Sequence, residues 1–221
     1  LDLSARDAGI RVYPYAAITK GQKQKELADL EALAEKSLAF SDDGVGAEQE
    51  AVMEEAMRRA KKCGKLIAAH CEVAALAKGG CIHAGSYAKA HGLPGISAES
   101  EWLEVERDIA LARKTGCRLH ICHVSTKESL ELIRRAKAEG LPVSSETAPH
   151  YLVYCQDDLK DEGRFRMNPP LRTAEDKKAL LEALSDGTID MIATDHAPHH
   201  EDEKNKGFAA SANGIVGLET A

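Results

Sequence analysis

The chain has 221 residues, of which 43% are hydrophobic and 29% charged, and its formal net charge is -7. This length suits one large α/β domain, and the composition is that of a globular protein with a substantial core. The acidic balance argues against a nucleic-acid partner, and no apolar run reaches the roughly 20 residues of a membrane span. The six cysteines form no CxxC pair, so we expect reduced thiols and a cytoplasmic location.

Short apolar runs alternate with longer amphipathic segments along the chain. Apolar runs predict strands, and helical periodicity with glycine stops predicts the helices between them. In chain order, the prediction is strand 11–18, helix 22–36, strand 37–41, helix 48–63, strand 66–69, helix 102–114, strand 118–124, helix 125–139, strand 143–147, helix 174–184 and strand 189–194. Alternation at this spacing predicts βαβ units and a parallel sheet.

Polar side chains that suit metal binding follow nearly every predicted strand at its carboxyl end. They are Asp43, His70, His123, His150 and Asp195. No glycine-rich phosphate-binding motif follows a strand, which disfavours an open nucleotide-binding sheet. Barrel enzymes carry their chemistry at the carboxyl ends of the strands. The sequence therefore predicts an α/β fold of the (β/α)8 barrel type.

Four of these residues, Asp43, His70, His123 and Asp195, offer imidazole and carboxylate ligands from four different strands. Nitrogen and oxygen ligands suit Zn²⁺ or a similar divalent ion, and an incompletely coordinated ion activates water. A histidine at a strand end is more often structural than a ligand. The prediction of a metal site therefore depends on the fact that four strand ends each carry a side chain that can bind a metal.

Strand alternation filters the neighbours of these residues. Because His120 and His123 are three positions apart, a regular strand points them to opposite faces. We therefore expect His120 at the interface between barrel and helices. By the same rule, we expect Cys71 and Cys122 to point away from the barrel.

Six motifs follow one another in a fixed order: AHCE at 69–72, HICHVST at 120–126, ETAPH at 146–150, MNPPLR at 167–172, ATDHAPH at 193–199 and GIVGLET at 214–220. Together they resemble class I dihydroorotases of the amidohydrolase superfamily, and the resemblance covers nearly the whole chain from Val12 onward. It implies a (β/α)8 barrel, with strands 3 to 8 in a partial domain at 1–221.

The resemblance also implies roles for particular residues. Its spacing selects Asp43 over Asp42, in the position where related enzymes often carry a carboxylated lysine. Asp195 would be both a ligand and the general base, and one or two Zn²⁺ ions would occupy the site. The implied metal ligands are Asp43, His70, His123 and Asp195, and the implied substrate-binding residues are Asn168, His199, Asn213 and Gly214.

The activity implied is reversible hydrolysis of the cyclic amide of (S)-dihydroorotate to N-carbamoyl-L-aspartate in pyrimidine biosynthesis. Asp43 in place of lysine, with Asn168 and His199, favours this over a dihydropyrimidinase, hydantoinase or allantoinase. A second alternative is a non-catalytic subunit that scaffolds aspartate transcarbamoylase. A homodimer and association with that transcarbamoylase are the macromolecular partners considered.

Two features depart from the family pattern. The first metal motif, a His-x-His followed by an arginine, is absent, because no histidine precedes His70. We expect that motif and the first two barrel strands upstream of Leu1, and therefore expect the 221-residue chain alone to be a poor catalyst. The second departure is Asn213, where a larger apolar residue is expected.

Overall fold

A computed structural model of the chain describes residues 2–220. Leu1 and Ala221, the ends of the predicted domain, lie outside the described residues. All six predicted strands are present, although several are shorter than predicted. The strands, labelled in chain order, are β1 Tyr15–Ala16, β2 Ala39–Phe40, β3 Leu66–Ala69, β4 Ile82–His83, β5 Gly95–Ile96, β6 Arg118–Ile121, β7 Val143–Thr147 and β8 Met191–Ile192.

Four of the five predicted helices are present with ends within three residues of the prediction, whereas only Leu30–Ala34 of the predicted helix 22–36 is α-helical. Gly116 and Gly187 adopt left-handed conformations with φ of 68° and 79° directly after two long helices, which is the usual use of glycine at a helix end. The helices are α1 Asp2–Asp7, α2 Leu30–Ala34, α3 Glu50–Lys62, α4 Ala74–Ala77, α5 Ser86–His91, α6 Glu99–Thr115, α7 Lys127–Ala138, α8 Pro149–Val153, α9 Ala174–Asp186, α10 Glu201–Lys204 and α11 Gly207–Ala210.

Six strands form one sheet in the order β1-β2-β3-β6-β7-β8, and every neighbouring pair is parallel. In its centre Ala68 pairs with His120, which in turn pairs with Ser144. This confirms the predicted parallel α/β fold and agrees with a partial barrel. All carboxyl ends of the sheet consequently lie at one edge.

The segment between His70 and α6 contains structure that the sequence analysis did not predict. Here β4 and β5 form a separate two-stranded parallel sheet, flanked by α4 and α5. Strands of two residues are too short to show any periodicity. Gly95 allows the close approach, because a Cβ atom there would lie 2.6 Å from the Cα of Ala84.

Alternate strand residues divide between a helix-covered core and an inner face. Phe40, Ile67 and Ile121 belong to the large core that the helices cover, and each is 0% exposed. Ala39, Ala68 and Cys122 form a separate, smaller cluster. Small side chains on this inner face leave room for polar groups. Within residues 2–220, no helix is long and apolar enough to cross a membrane.

His120 and Cys122 lie on this inner face, so the predictions that they turn away from the barrel were wrong. Cys122 packs with Ala39 and Ala68, and His120 places Nε2 3.1 Å from Glu146 Oε2. The physical reason is His123, whose φ of 37° interrupts the extended backbone. Strand alternation therefore stops at Cys122 and does not determine where His123 points.

The helix-covered core predicts a large difference between buried and exposed isoleucines. Ile67→Ala removes a side chain that is 0% exposed, whereas Ile10→Ala changes one that is 80% exposed. We expect Ile67→Ala to lower the free energy of unfolding by about 2–5 kcal/mol and Ile10→Ala by less than about 0.5 kcal/mol. Urea unfolding followed by circular dichroism measures both. Equal losses would contradict the assigned core.

Candidate metal centre and substrate cavity

A cavity of about 200 Å³ opens at the carboxyl ends of the parallel strands. It brings together seven of the eight predicted site residues from distant parts of the chain. His199 lies outside this group and lines a neighbouring cavity, which shares Ala197 and Gly214 with the first. The first cavity is lined by Asp43, Gly44, His70, His123, Met167, Asn168, Asp195, Ala197, Asn213 and Gly214.

Three of the predicted ligands converge on one point. His70 Nδ1 lies 2.9 Å from His123 Nε2, and Asp43 Oδ1 lies 3.8 Å and 3.5 Å from these two nitrogens. Tetrahedral zinc with bonds of about 2.0–2.1 Å holds neighbouring ligand atoms about 3.3 Å apart. The three distances bracket this value, so the donor set fits a divalent ion.

Asp195 takes a different position from these three residues. It lines the same cavity, but its carboxylate is not within 4.8 Å of all three ligand atoms. Its φ of 46° turns the chain sharply just after β8, as at His123 after β6. Positive φ in a non-glycine residue is uncommon and strained, and such residues cluster at functional sites.

The electrostatics of the cavity place two of the three proposed ligands, His70 and Asp43, in the protonation state that a metal ion requires. At His123 burial lowers the pKa, but the hydrogen bond with Asp43 and the nearby carboxylates outweigh burial and raise this pKa above its ordinary value. Burial lowers the pKa of His70 to about 3, assisted by the neighbouring His123, so the His70 ring is neutral at pH 7. The hydrogen bond with His123 keeps the pKa of Asp43 below its ordinary value. Burial raises the pKa of Asp195, to which the carboxylates of Asp43 and Glu146 add. Asp195 therefore holds a proton more readily than an exposed aspartate.

The two adjacent aspartates divide structural and site roles. Asp42 is buried, and Oδ1 accepts hydrogen bonds from the backbone N–H groups of Ile18 and Thr19 at 2.8 Å and 3.1 Å. The Thr19 hydroxyl also donates to Asp42. The Asp43 side chain is 60% exposed and faces the two histidines. Asp42 therefore connects the turn at residues 42–45 to the segment that follows β1 by hydrogen bonds. In the described part of the chain, the Asp43 side chain makes no such bonds to that segment and points into the cavity.

The opposite wall carries the predicted substrate-binding residues. Asn168 Oδ1 is buried and has no hydrogen-bond partner among the described residues, although it is a strong acceptor. His199 Nε2 lies 2.7 Å from the carbonyl oxygen of Asn213. Gly214 has a φ of 143°, and a Cβ atom there would lie 2.8 Å from the Ala197 Cβ. Only glycine fits this close approach without displacement.

A buried ion pair that the sequence analysis did not predict supports the loops around the cavity. Arg172 is 3% exposed, and its Nε donates to Ser125 Oγ at 3.0 Å. It also donates to the carbonyl oxygens of Ile96 and Ser97, and it lies 3.8 Å from Glu101. Arg172 thus joins the β4–β5 insertion to the loop that follows His123. Its place in the NPPLR motif was the available signal.

A second buried charge cluster lies behind the Asp43 turn. Arg107 donates to Glu104 Oε1 at 2.7 Å and to Asp108 Oδ1 at 2.7 Å and 2.9 Å. A Cβ atom on Gly46 would lie 2.9 Å from Glu104 Oε1 and 3.0 Å from the His70 carbonyl oxygen. One arginine thus serves two buried acids. Burial and Asp108 together raise the pKa of Glu104 to about 8.

Comparison with known proteins agrees with this architecture. A family model described as dihydro-orotase-like matches residues 3–129. Curated dihydroorotases from Anoxybacillus flavithermus and Staphylococcus epidermidis are each 50% identical over 97% of this chain. These matches cover 50% and 51% of the two relatives. The chain therefore spans about half the length of the curated relatives it matches.

Solved structures show the same fold. An L-hydantoinase (dihydropyrimidinase) from Arthrobacter aurescens superimposes with a TM-score of 0.76 and 27% identity, over 95% of this chain and 49% of that one. A dihydroorotase from Saccharomyces cerevisiae, solved with 5-fluoroorotic acid, has a TM-score of 0.73 at 14% identity, over 97% of this chain and 60% of that one. At that identity the likeness shows the fold alone.

Fold and cavity together define a parallel α/β protein of the amidohydrolase barrel type, with side chains that can hold a divalent ion. Within that type, the chain belongs to the dihydroorotase-like family. The family resemblance predicted from the six motifs is confirmed.

The two aspartates predict a separation of metal binding from stability. We expect Asp43→Asn to weaken Zn²⁺ binding about tenfold or more, about 1.4 kcal/mol, with little change in unfolding. We expect Asp42→Asn to lower the free energy of unfolding by about 1–3 kcal/mol, because its buried donors lose a charged acceptor. Isothermal titration with Zn²⁺ and urea unfolding measure the two effects. The assignment fails if Asp42→Asn is the variant that loses the metal.

The charge cluster of Glu104, Arg107 and Asp108 predicts that the free energy of unfolding depends on pH. Because the pKa of Glu104 is higher in the folded chain than in the unfolded chain, the folded chain binds this proton more tightly. The Glu104 contribution to stability is thus complete below about pH 4 and declines up to about pH 8. We expect Glu104→Gln to remove this decline, changing the stability difference between pH 5 and pH 8 by about 1 kcal/mol or more. The free energy of unfolding of both proteins is measured with urea at pH 5 and pH 8. An equal change between the two pH values in Glu104→Gln and in the unsubstituted chain would contradict the prediction.

Proposed function

We propose that this chain contributes the active-site cavity of a dihydroorotase, which reversibly hydrolyses the cyclic amide of (S)-dihydroorotate to N-carbamoyl-L-aspartate. The observation that carries the proposal is the convergence of Asp43, His70 and His123 in one cavity that Asp195 and Asn168 also line. Two imidazoles and a carboxylate are a donor set typical of zinc hydrolases. The 50% identity with curated dihydroorotases supports the same substrate.

Asp43, His70 and His123 would hold a divalent ion, for which we propose Zn²⁺, and we propose Asp195 as a further ligand. When bound, the ion supplies a Lewis acid that polarises a carbonyl group and makes water more acidic. The neutral His70 ring and the anionic Asp43 are already in the states that ligation requires, whereas His123, whose pKa the Asp43 carboxylate raises, would release its proton on binding the ion.

Asp195 is proposed to move the proton. Its carboxylate accepts a proton from the attacking water and donates it to the departing ring nitrogen, so that the C–N bond breaks as an amide N–H forms. Burial raises the pKa of Asp195. Beside a bound cation this pKa would be lowered again, which keeps the carboxylate available as a base until the proton of the water arrives. In the reverse direction the same transfers close the ring.

The opposite wall is proposed to orient the ring. Asn168 Oδ1, a buried acceptor without a partner among the described residues, suits a ring N–H donor. His199 holds the Asn213 carbonyl and thereby the backbone of Asn213 and Gly214 that faces the ring. The side chain of His199 would also approach the substrate carboxylate from the neighbouring cavity.

A second candidate is a cyclic amidase of the hydantoinase type. The L-hydantoinase from Arthrobacter aurescens, at 27% identity, favours this candidate, although its identity is lower than that of the dihydroorotases.

The six cysteines are free, and a reducing compartment such as the cytoplasm is part of the proposal.

A substrate panel tests the proposal. The full polypeptide of the natural reading frame and the 221-residue chain are each incubated with Zn²⁺ and dihydroorotate, hydantoin, dihydrouracil or allantoin. We expect ring opening of dihydroorotate above the other substrates, and we expect Asp195→Asn to lower turnover about 10²- to 10⁴-fold while Zn²⁺ still binds. A preference for hydantoin would favour the second candidate. Zn²⁺ binding without any turnover by folded protein would favour a non-catalytic subunit.

A further inference from the structure

The wall of the cavity formed by residues 212–215 contains no helix, and a single bridge between Ile215 and His196 is its only strand-type contact among the described residues. Its backbone is held instead by individual hydrogen bonds. The Gly214 N–H donates to the Arg166 carbonyl oxygen at 2.9 Å, and the Ala212 N–H donates to the backbone carbonyl oxygen of Glu203 at 3.0 Å. A wall of this kind depends on the side chains that cross it.

Lys204, the last residue of α10, crosses this wall. Its half-buried ammonium group donates to the carbonyl oxygens of Gly214 at 2.7 Å, Ala212 at 2.8 Å and Arg166 at 3.2 Å. An ammonium group has three donor hydrogens, and all three have acceptors here. Hydrogen bonds from a charged donor are stronger than those between neutral groups.

The carbonyl groups that accept from Lys204 belong to two different segments of the chain, and both segments contribute residues to the cavity. Arg166 directly precedes Met167 and Asn168, which line the cavity, and Gly214 lines it from the facing segment. Arg166 strengthens the same link, because its Nε donates to Asn213 Oδ1 at 2.7 Å. Movement of Lys204 would therefore displace Asn168 and Gly214 relative to each other.

Close packing fixes the position of Lys204 itself. Gly163 lies so near the Lys204 carbonyl oxygen and Ser211 Oγ that a Cβ atom there would overlap both. Ser211 Oγ also donates to the Lys204 carbonyl oxygen at 2.7 Å. The residues proposed to hold the metal ion follow β2, β3 and β6, whereas the acceptors of the Lys204 ammonium group belong to Arg166 and to residues 212–214.

We propose that Lys204 is a positioning residue for substrate: its ammonium group holds the backbone of 212–214 against Arg166 and so sets the spacing between Asn168 and Gly214 across the cavity. The kinetic consequence of this inference rests on the proposed function. The set of hydrogen bonds from Lys204 to Arg166, Ala212 and Gly214, here called the clamp, is a property of the chain and is measured without substrate.

The test uses the full polypeptide with Lys204→Met, Lys204→Arg and, as matched control, Lys206→Met. Lys206 is an exposed lysine two residues away, so its substitution makes the same change in charge and side chain. Lys204→Gln replaces Lys204→Met if the latter does not fold, because the glutamine amide removes the charge but still supplies N–H donors. Circular dichroism establishes folding and titration calorimetry establishes Zn²⁺ binding in every variant.

Hydrogen–deuterium exchange of the Ala212 and Gly214 amides is the first measurement. We expect exchange about tenfold faster or more in Lys204→Met, the effect of losing a hydrogen bond to a charged group, with partial recovery in Lys204→Arg and no change in Lys206→Met. Unchanged exchange in Lys204→Met would overturn the clamp, whatever the enzyme assay shows.

Steady-state ring opening of dihydroorotate is the second measurement. We expect KM to rise about tenfold in Lys204→Met, the change that corresponds to about 1.4 kcal/mol of lost substrate binding, while kcat and Zn²⁺ affinity change less than about twofold. Faster exchange with unchanged KM would overturn the positioning role. Absence of turnover in the unsubstituted protein would refute the proposed function, and the exchange data would still decide the clamp.

Discussion

Parallel pairing of the strands in the order β1-β2-β3-β6-β7-β8 is the constraint on which the rest of this structure depends. Because parallel strands all end at the same edge, side chains as far apart in the chain as Asp43 and Asp195 arrive at one cavity. The long helices α3, α6, α7 and α9 return the chain over the outer face and bury Ile67 and Ile121. Thus the same hydrophobic burial that stabilises the sheet also concentrates the polar groups at its edge.

The cavity then requires the backbone to leave the strand conformation at defined points. His123 and Asp195 both adopt positive φ directly beyond their strands. Such conformations are unfavourable for residues with a Cβ atom, and the surrounding structure must hold them. The buried hydrogen bonds from Arg172 to Ser125 and from Ser125 and Thr126 to Glu101 provide this support just after His123. Polar networks around the cavity are therefore part of its geometry.

The two walls of the cavity are built in different ways. The wall with the proposed metal ligands comes from strand ends and is supported by buried charges, with Asp42 and Glu104 near the Asp43 turn. The wall with the proposed substrate-binding residues comes from loops and is held by hydrogen bonds that the side chains of Arg166 and Lys204 donate.

The sequence by itself determined six of the strands, the parallel sheet and the family, because hydrophobic periodicity, glycine stops and motifs such as NPPLR are local properties of the chain. Since parallel strands have only one carboxyl edge, it also identified four residues that line one cavity: Asp43, His70, His123 and Asp195. The family resemblance added Asn168, Asn213 and Gly214. Only the tertiary structure decided that His120 and Cys122 face inward, because the positive φ at His123 leaves no trace in strand periodicity. Likewise, it alone placed Lys204 beside the 212–215 segment, because a lysine at the end of a short helix acquires three carbonyl acceptors only when Arg166 and residues 212–214 meet in space.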